Sequence, residues 1–332
     1  MLPVVDVERV RAWTYGRQRL GRAARSGAEA LSDVIGVYSA HPTAPLSLHA
    51  RAAKFDAAAF RRLDAVRLPA MRQSIHLLPR KTAHLAFRAT PAPASDRAKR
   101  FRYFKLTEER YQELRGQILK AAHEPLTQDE MRAATGAEAK ELKGASAQLT
   151  RDGELVRVAA GGLRSNELRY VAATVDDADP DGALAWLAGE YLRAFCPARV
   201  KDFTWWAGVG ATRAKAALAQ HDTEELDDGL VLLAGDVEAF ERTKPLKGAV
   251  DLIPKWDCFQ MGYAPDGRAR FAHPDVLDRC YDFRGDGRPV ILVDGEAAGT
   301  WERMEPVFFD RATKTVRAAV EKRLDEIRAF LG

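Results

Sequence analysis

Apolar residues recur at helical spacing over residues 7–20, where Val7, Val10, Trp13 and Tyr15 alternate with Arg9, Arg11, Arg17 and Arg19. The spacing returns from Ser26 onward, with Ala30, Leu31, Val34 and Ile35 on one face. The loop Tyr38-Ser39-Ala40-His41-Pro42 then leads to a third short helix over 44–53 and a further short helical piece. Between 66 and 78 the pattern shortens and reads as a two-stranded ribbon. Three helices followed by a β ribbon is the order of a winged helix, a variant of the helix-turn-helix.

The same grammar repeats. A long amphipathic helix is predicted over 107–123. Thr127 with Glu130 three residues on forms a capping box, and Gly136 closes that helix. A helix over 139–150 precedes paired strands over 154–159 and 167–173 around the Gly161-Gly162 turn. A third unit places helices over 183–195, 201–209 (with Trp205 and Trp206) and 211–220 before a strand at 230–233. From 250 to 301 the texture is β-like, clearest at 289–295, and a charged amphipathic helix occupies 312–331. The pattern predicts a mainly α protein with β structure: three tandem winged-helix units followed by a C-terminal stretch rich in β structure. The expected divisions are 1–90, a basic linker over 91–105 that opens with Pro and Ala residues, 106–178, 179–248 and 249–332.

Charge sharpens this picture. The net charge of +4 conceals an asymmetry: residues 1–105 carry 20 Lys and Arg against 7 Asp and Glu, and the remainder 31 against 40. A basic N-terminal third points to a polyanionic partner or to a solvated arginine-rich surface. A hydrophobic share of 46% with 30% charged residues excludes disorder. No run approaches the roughly 18 apolar residues of a membrane span, and the acidic start does not read as a secretory signal. Three widely spaced cysteines, Cys196, Cys258 and Cys280, fit a reducing cytoplasm. Gly208-Val209-Gly210 lacks the rest of a dinucleotide fingerprint, and phosphate loops, nucleophile elbows and metalloprotease motifs are missing. The seven histidines show no metal-ligand spacing, so neither metal nor cofactor is expected. Double-stranded DNA, bound by a nucleoid-associated monomer, is the expected partner.

Several segments together resemble the winged-helix DNA glycosylases of the AlkZ/YcaQ type, which unhook interstrand crosslinks. Gly36-Val37-Tyr38-Ser39-Ala40 stands where that family has G-L-Q-x-Q/D, and Leu46-Ser47-Leu48-His49-Ala50-Arg51 where it has L-x-L-W-x-R. Met71 to Pro79 is similar to M-R-G-T-L-H-L-x-P, and Asp202 to Gly208 to D-F-x-W-W-x-G. Leu252 to Asp257 and Asp294 to Trp301 match later segments. The resemblance implies three winged helices and a small barrel around damaged DNA, with hydrolysis of the N-glycosidic bond of N7-alkylated purines or crosslinks to leave an abasic site. The alternative is a non-enzymatic DNA-binding regulator or lesion sensor.

The catalytic glutamines are replaced: the resemblance puts their positions on Tyr38 and Ala40. His41 is the candidate base for the attacking water, with Tyr38 or Ser39 to hold it; the other readings are cleavage of a different lesion by another catalyst, and DNA binding without catalysis. Arg51 would clamp a phosphate or pair internally with an acid such as Asp33. On the ribbon, strand alternation puts Arg72, Ser74 and His76 on one face and Gln73 and Ile75 on the other. Arg72, Gln73 and His76, with Arg80 and Lys81 beyond, are DNA-contact candidates, whereas His76 could instead be bonded within the hairpin. Arg97, Lys99, Arg100, Arg102, Tyr103 and Lys105 interleave bases and aromatics in a way that suits a nucleic-acid backbone, or Phe101 and Phe104 dock a solvated segment onto a core. Trp205 and Trp206 read as core.

Overall fold

The computed structural model describes residues 6–40, 42–159, 162–165 and 167–332. His41 and Gly161 therefore lie outside the described residues.

Short polar side chains start many of the helices by accepting a first-turn N–H group that has no intrahelical partner. Asp6 caps α1 (Val7–Arg17) and Ser26 caps α2 (Gly27–Asp33). The short strand β1 (Val37–Tyr38), α3 (Thr43–His49) and α4 (Ala57–Arg61) lead to the hairpin β2 (Ala65–Pro69) and β3 (Ile75–Pro79). Next come α5 (Arg80–Ala89) and α6 (Ala94–Phe104), then α7 (Glu108–Ala121), α8 (Gln128–Thr135) and α9 (Ala139–Asp152) ahead of β4 (Leu155–Ala159) and β5 (Leu168–Ala172). The capping box at Thr127 and Glu130 is present, and Gly136 ends α8 in the left-handed conformation.

The third stretch contains α10 (Pro180–Phe195), β6 (Ala198–Arg199), α11 (Val200–Ala207), α12 (Ala211–Leu218), β7 (Thr223–Glu225), β8 (Leu230–Leu233) and α13 (Val237–Glu241). The last contains β9 (Val250–Ile253), α14 (Cys258–Met261), α15 (Leu277–Cys280), β10 (Val290–Val293), β11 (Glu296–Glu302), β12 (Glu305–Phe308) and α16 (Lys314–Leu331). Among the described residues no helix is long and apolar enough to cross a membrane.

The first two hairpins join in one sheet of order β1-β3-β2-β4-β5, linked through the single pair Arg67 and Arg157. A smaller sheet runs β6-β8-β7. The main core spans the first, third and last stretches, while Tyr111, Leu114, Ile118, Met131, Leu142 and Leu149 form a separate core for the second.

Three expectations change. The C-terminal β structure is an open antiparallel sheet, β12-β11-β10-β9, and not a closed barrel. Residues between β9 and β10 turn instead of extending, because Pro265 and Pro274 each open a 3-10 turn with their fixed φ. Val320, Leu324 and Ile327 of α16 then cover the sheet at Leu252, Ile291 and Trp301. The segment expected as a basic linker is largely helix α6, whose Phe104 lies so close to Gly144 of α9 that a Cβ there would sit 2.7 Å away. Helix α5, unmarked by any cap, forms because Ala83, Ala86, Phe87 and Ala89 bury one face, largely against α10.

Candidate active site

The hairpin tip sets the site. Arg72 and Gln73 both have left-handed φ, 53° and 58°, a conformation that is unfavourable for long side chains and persists only when neighbours hold it. Met71 is buried beneath the turn, and the Gln73 amide donates to the Thr90 carbonyl. The Arg72 guanidinium lies 3.8 Å above the Trp205 ring and donates to the Tyr38 phenol oxygen. Gly208, at the C-terminal cap of α11, abuts the Arg72 backbone: a Cβ there would lie 2.9 Å from Cα of Arg72. Residues 71–73 form a 3-10 turn and not a strand, yet Arg72 and Ser74 line one cleft while Gln73 points to the end of α5, the sidedness expected of these three.

That cleft, about 380 Å³, is also bordered by Tyr38, Trp205, Trp256 and Asp286. Tyr38 reaches it because β1 pairs with β3, with Tyr38 opposite His76 and the Ser39 N–H donating to the Ile75 carbonyl at 3.0 Å. Its ring lies 4.6 Å from the imidazole of His76 and 6.4 Å from Trp256. His76 is 2% exposed, and burial pushes its pKa down to about 4, with the Arg72 charge acting in the same direction. Its Nδ1 lies 3.0 Å from the Ser74 carbonyl. A neutral, enclosed imidazole is no phosphate ligand, so His76 leaves the DNA-contact set and supports Tyr38 from below.

Arg51 is corrected as well. It is fully buried, and Asp257 accepts from both of its terminal nitrogens, at 2.7 and 2.8 Å. The same carboxylate accepts from Ser47 Oγ at 2.7 Å. Burial opposes the charge, but Asp257 outweighs it and holds the Arg51 pKa above its usual value. Arg51 therefore clamps α3 to the segment around Asp257 and has no face for a phosphate; Asp33 pairs instead with Arg19 and Arg193.

The remaining basic candidates are scattered. Arg80 pairs with Asp64 at 2.6 Å on the surface, and Lys81 is exposed beside it at the start of α5. On α6, Arg97 pairs with Glu108 and Asp152, Lys99 with Asp96, and Arg100 donates to the Asp96 carbonyl. Arg102, Tyr103 and Lys105 face solvent. The second reading of this run holds in part, since Phe101 packs 5.3 Å from Tyr111 while basic side chains remain outside.

Residues that the sequence left unassigned or read as core complete the cleft. Trp206 is core, packed at tilted angles against Tyr191, Phe195 and Phe203, but Trp205 is a wall of the site. Arg268, 3% exposed, lies 3.9 Å from the Tyr281 ring and 5.1 Å from that of Trp205. Trp256 has φ of 60° and also borders an apolar cavity of about 560 Å³ with Pro42, Leu46, Lys255, Trp301 and Met304. The Trp301 indole N–H donates to the Ile253 carbonyl at 2.9 Å. Side chains from six separated sequence segments thus meet around one cleft and its neighbouring cavity.

A family model described as DNA glycosylase AlkZ-like matches residues 32–330. Among solved structures, the Streptomyces sahachiroi DNA glycosylase AlkZ is similar with a TM-score of 0.80 at 19% identity, covering 99% of this chain and 98% of that one. At that identity the likeness shows the fold. No curated protein matches the chain.

Proposed function

The chain belongs to the AlkZ-like DNA glycosylase family, and from that premise we propose that it hydrolyses the N-glycosidic bond of N7-alkylated purines, including interstrand crosslinks, in duplex DNA. The observation that carries this reading is the convergence of Tyr38, Arg72, Trp205 and Trp256 on one cleft, since they come from four of the segments that resemble the family. The order of helices followed by a hairpin, met in each of the first three stretches, supports three winged-helix units. Trp256 forms a wall of both the cleft and the apolar cavity beside it. Such a site suits a bulky or crosslinked base that cannot be extruded completely. Three buried, unpaired cysteines suit a reducing cytoplasm, where a monomer would act at the nucleoid.

The leaving base of an N7-alkylpurine is already cationic, so the protein has to hold a water, accept its proton and stabilise an oxocarbenium-like sugar. The sequence nominates His41 for the proton and Tyr38 or Ser39 for holding the water. Single-turnover incubation with a duplex carrying one N7-alkylguanine, and with an N7-linked crosslink, tests the activity when followed by hot alkali and a denaturing gel. Cleavage at the lesion is the expected outcome. Salt-sensitive binding without cleavage of either substrate would replace this reading with that of a DNA-binding regulator or lesion sensor. In the same assay His41→Ala and Tyr38→Phe measure what each side chain contributes.

A further inference from the structure

The loop that follows Tyr281 is built with unusual redundancy. Asp282 Oδ1 accepts from the N–H groups of Arg284 at 2.9 Å and Asp286 at 3.1 Å. The Asp282 carbonyl accepts from Gly285 N–H at 2.8 Å, and Asp282 N–H donates to the Asp286 carbonyl at 2.9 Å. Buried Arg268 donates to the Gly285 carbonyl at 3.3 Å. On the far side, Trp256 N–H donates to the Gly287 carbonyl at 3.1 Å. Gly287 also packs so tightly on the Gln260 amide that a Cβ would lie 2.6 Å from it. Gln260, fully buried, donates in turn to the Arg288 carbonyl at 2.9 Å.

All of these bonds fix the backbone before and after Asp286, yet among the described residues its carboxylate makes no hydrogen bond or ion pair. It lines the cleft with Tyr38, Arg72, Ser74, Trp205 and Trp256, and it is the one carboxylate that does so. Preorganising a loop around an unpartnered charged group is the arrangement expected of a residue that works on something outside the protein. The other polar groups of the cleft serve less well as proton acceptors. The Tyr38 oxygen already accepts from Arg72, and guanidinium groups have no lone pair to offer. Ala40, at the position where the resemblance places a polar side chain, contributes only a methyl group.

We propose that Asp286 is a catalytic residue that holds the attacking water and accepts its proton, the role that the sequence offered to His41. This rests on the glycosylase reading. In the step, the bond between C1′ and N9 breaks and its electron pair passes to the base, which neutralises the cationic N7-alkylpurine as it departs. The water oxygen bonds to C1′, and the water proton moves to a carboxylate oxygen of Asp286. The same negative charge faces the oxocarbenium-like sugar while it forms. Deprotonation of Asp286 by solvent returns the enzyme to its starting state.

The test is a single-turnover cleavage rate on a duplex with one N7-methylguanine, with the affinity for that duplex measured in parallel by fluorescence anisotropy. Asp286→Asn keeps the shape of the loop and removes the proton acceptor, and a rate loss of about 100-fold or more with affinity within about twofold is expected. Partial recovery in Asp286→Glu, and acceleration of Asp286→Ala by added formate, would distinguish a missing proton acceptor from a misfolded loop. An unchanged rate in Asp286→Asn, or a loss matched by weaker binding and unmoved by formate, overturns the assignment while wild-type cleavage leaves the glycosylase reading standing. A wild-type protein that cleaves neither the methylated nor the crosslinked duplex overturns both.

Discussion

His76 and His49 show how single side chains couple this fold to pH. His49 is 9% exposed, with its ring stacked 4.4 Å from Phe330 and Arg22 3.4 Å away. Burial first, and the nearby arginine in addition, push both imidazoles down to about 4. A histidine that is harder to protonate in the folded state stabilises it above pH 6.5 and loses that contribution as the pH falls toward 4, because the unfolded chain takes up the proton first. At pH 5 the loss is about 2 kcal/mol for each. Urea unfolding at pH 7.5 and 5.0 should therefore show lower stability at pH 5.0, and His76→Gln should reduce the difference by about that amount. An undiminished difference would mean that His76 is solvated. The sequence left His76 divided between a groove contact and an internal bond, since alternation along a strand reports the face and not what covers it. Arg51 was similarly divided, and its partner Asp257 lies 206 residues away, beyond any local pattern.

At the scale of elements, local signals were read well and contact-dependent ones were not. The box at Thr127 and the left-handed Gly136 depend on residues three to nine apart, and both stand where the sequence put them. Helix α5 follows Pro79 with no side-chain cap, and its existence rests on the partner α10. The hairpin of β2 and β3 was legible, but its tip was not, because the conformation of Arg72 is held by Trp205, Tyr38 and Gly208 from distant segments. The loop carrying Asp286 is unreadable for the same reason, since its supports are Arg268, Gln260 and Trp256. The docking of tip on helix gives a direct prediction. Gly208→Ala adds a Cβ to a residue at φ of +74° and drives it against the Arg72 backbone, so stability should fall by about 1–3 kcal/mol and cleavage with it. Gly116→Ala, exposed within α7 with nothing near the new methyl group, should instead stabilise by up to about 1 kcal/mol. Equal effects of the two in urea unfolding would show that the tip is not held by this contact.

Across the whole molecule, several of the bases in the first 105 residues are neutralised by acids from later segments. Arg11 pairs with Glu296 at 2.9 Å, Arg17 with Asp236 at 3.0 Å, Arg22 with Glu326 at 2.7 Å and Arg51 with Asp257. Part of the asymmetry along the chain is thus complementarity between an N-terminal third and the acidic remainder that folds around it. The charge left for a polyanion has to be sought among side chains outside these pairs. On α6 the division is clean: Arg97 and Lys99 are in ion pairs, whereas Arg102 and Lys105 are exposed and, among the described residues, make none. Each phosphate contact contributes roughly 0.9 to the slope of log affinity against log salt. If this helix lies along the duplex, the double variant Arg102→Ala/Lys105→Ala should lower that slope by about 1.8. Arg97→Ala/Lys99→Ala should change it by less than half as much, because their partners Glu108, Asp152 and Asp96 already oppose a phosphate. Anisotropy titrations of a labelled duplex between about 50 and 200 mM salt decide the matter. A slope unmoved by the first variant would place the DNA away from α6 and leave the basic surface around the cleft, Arg72 and Arg284 included, to carry the contact.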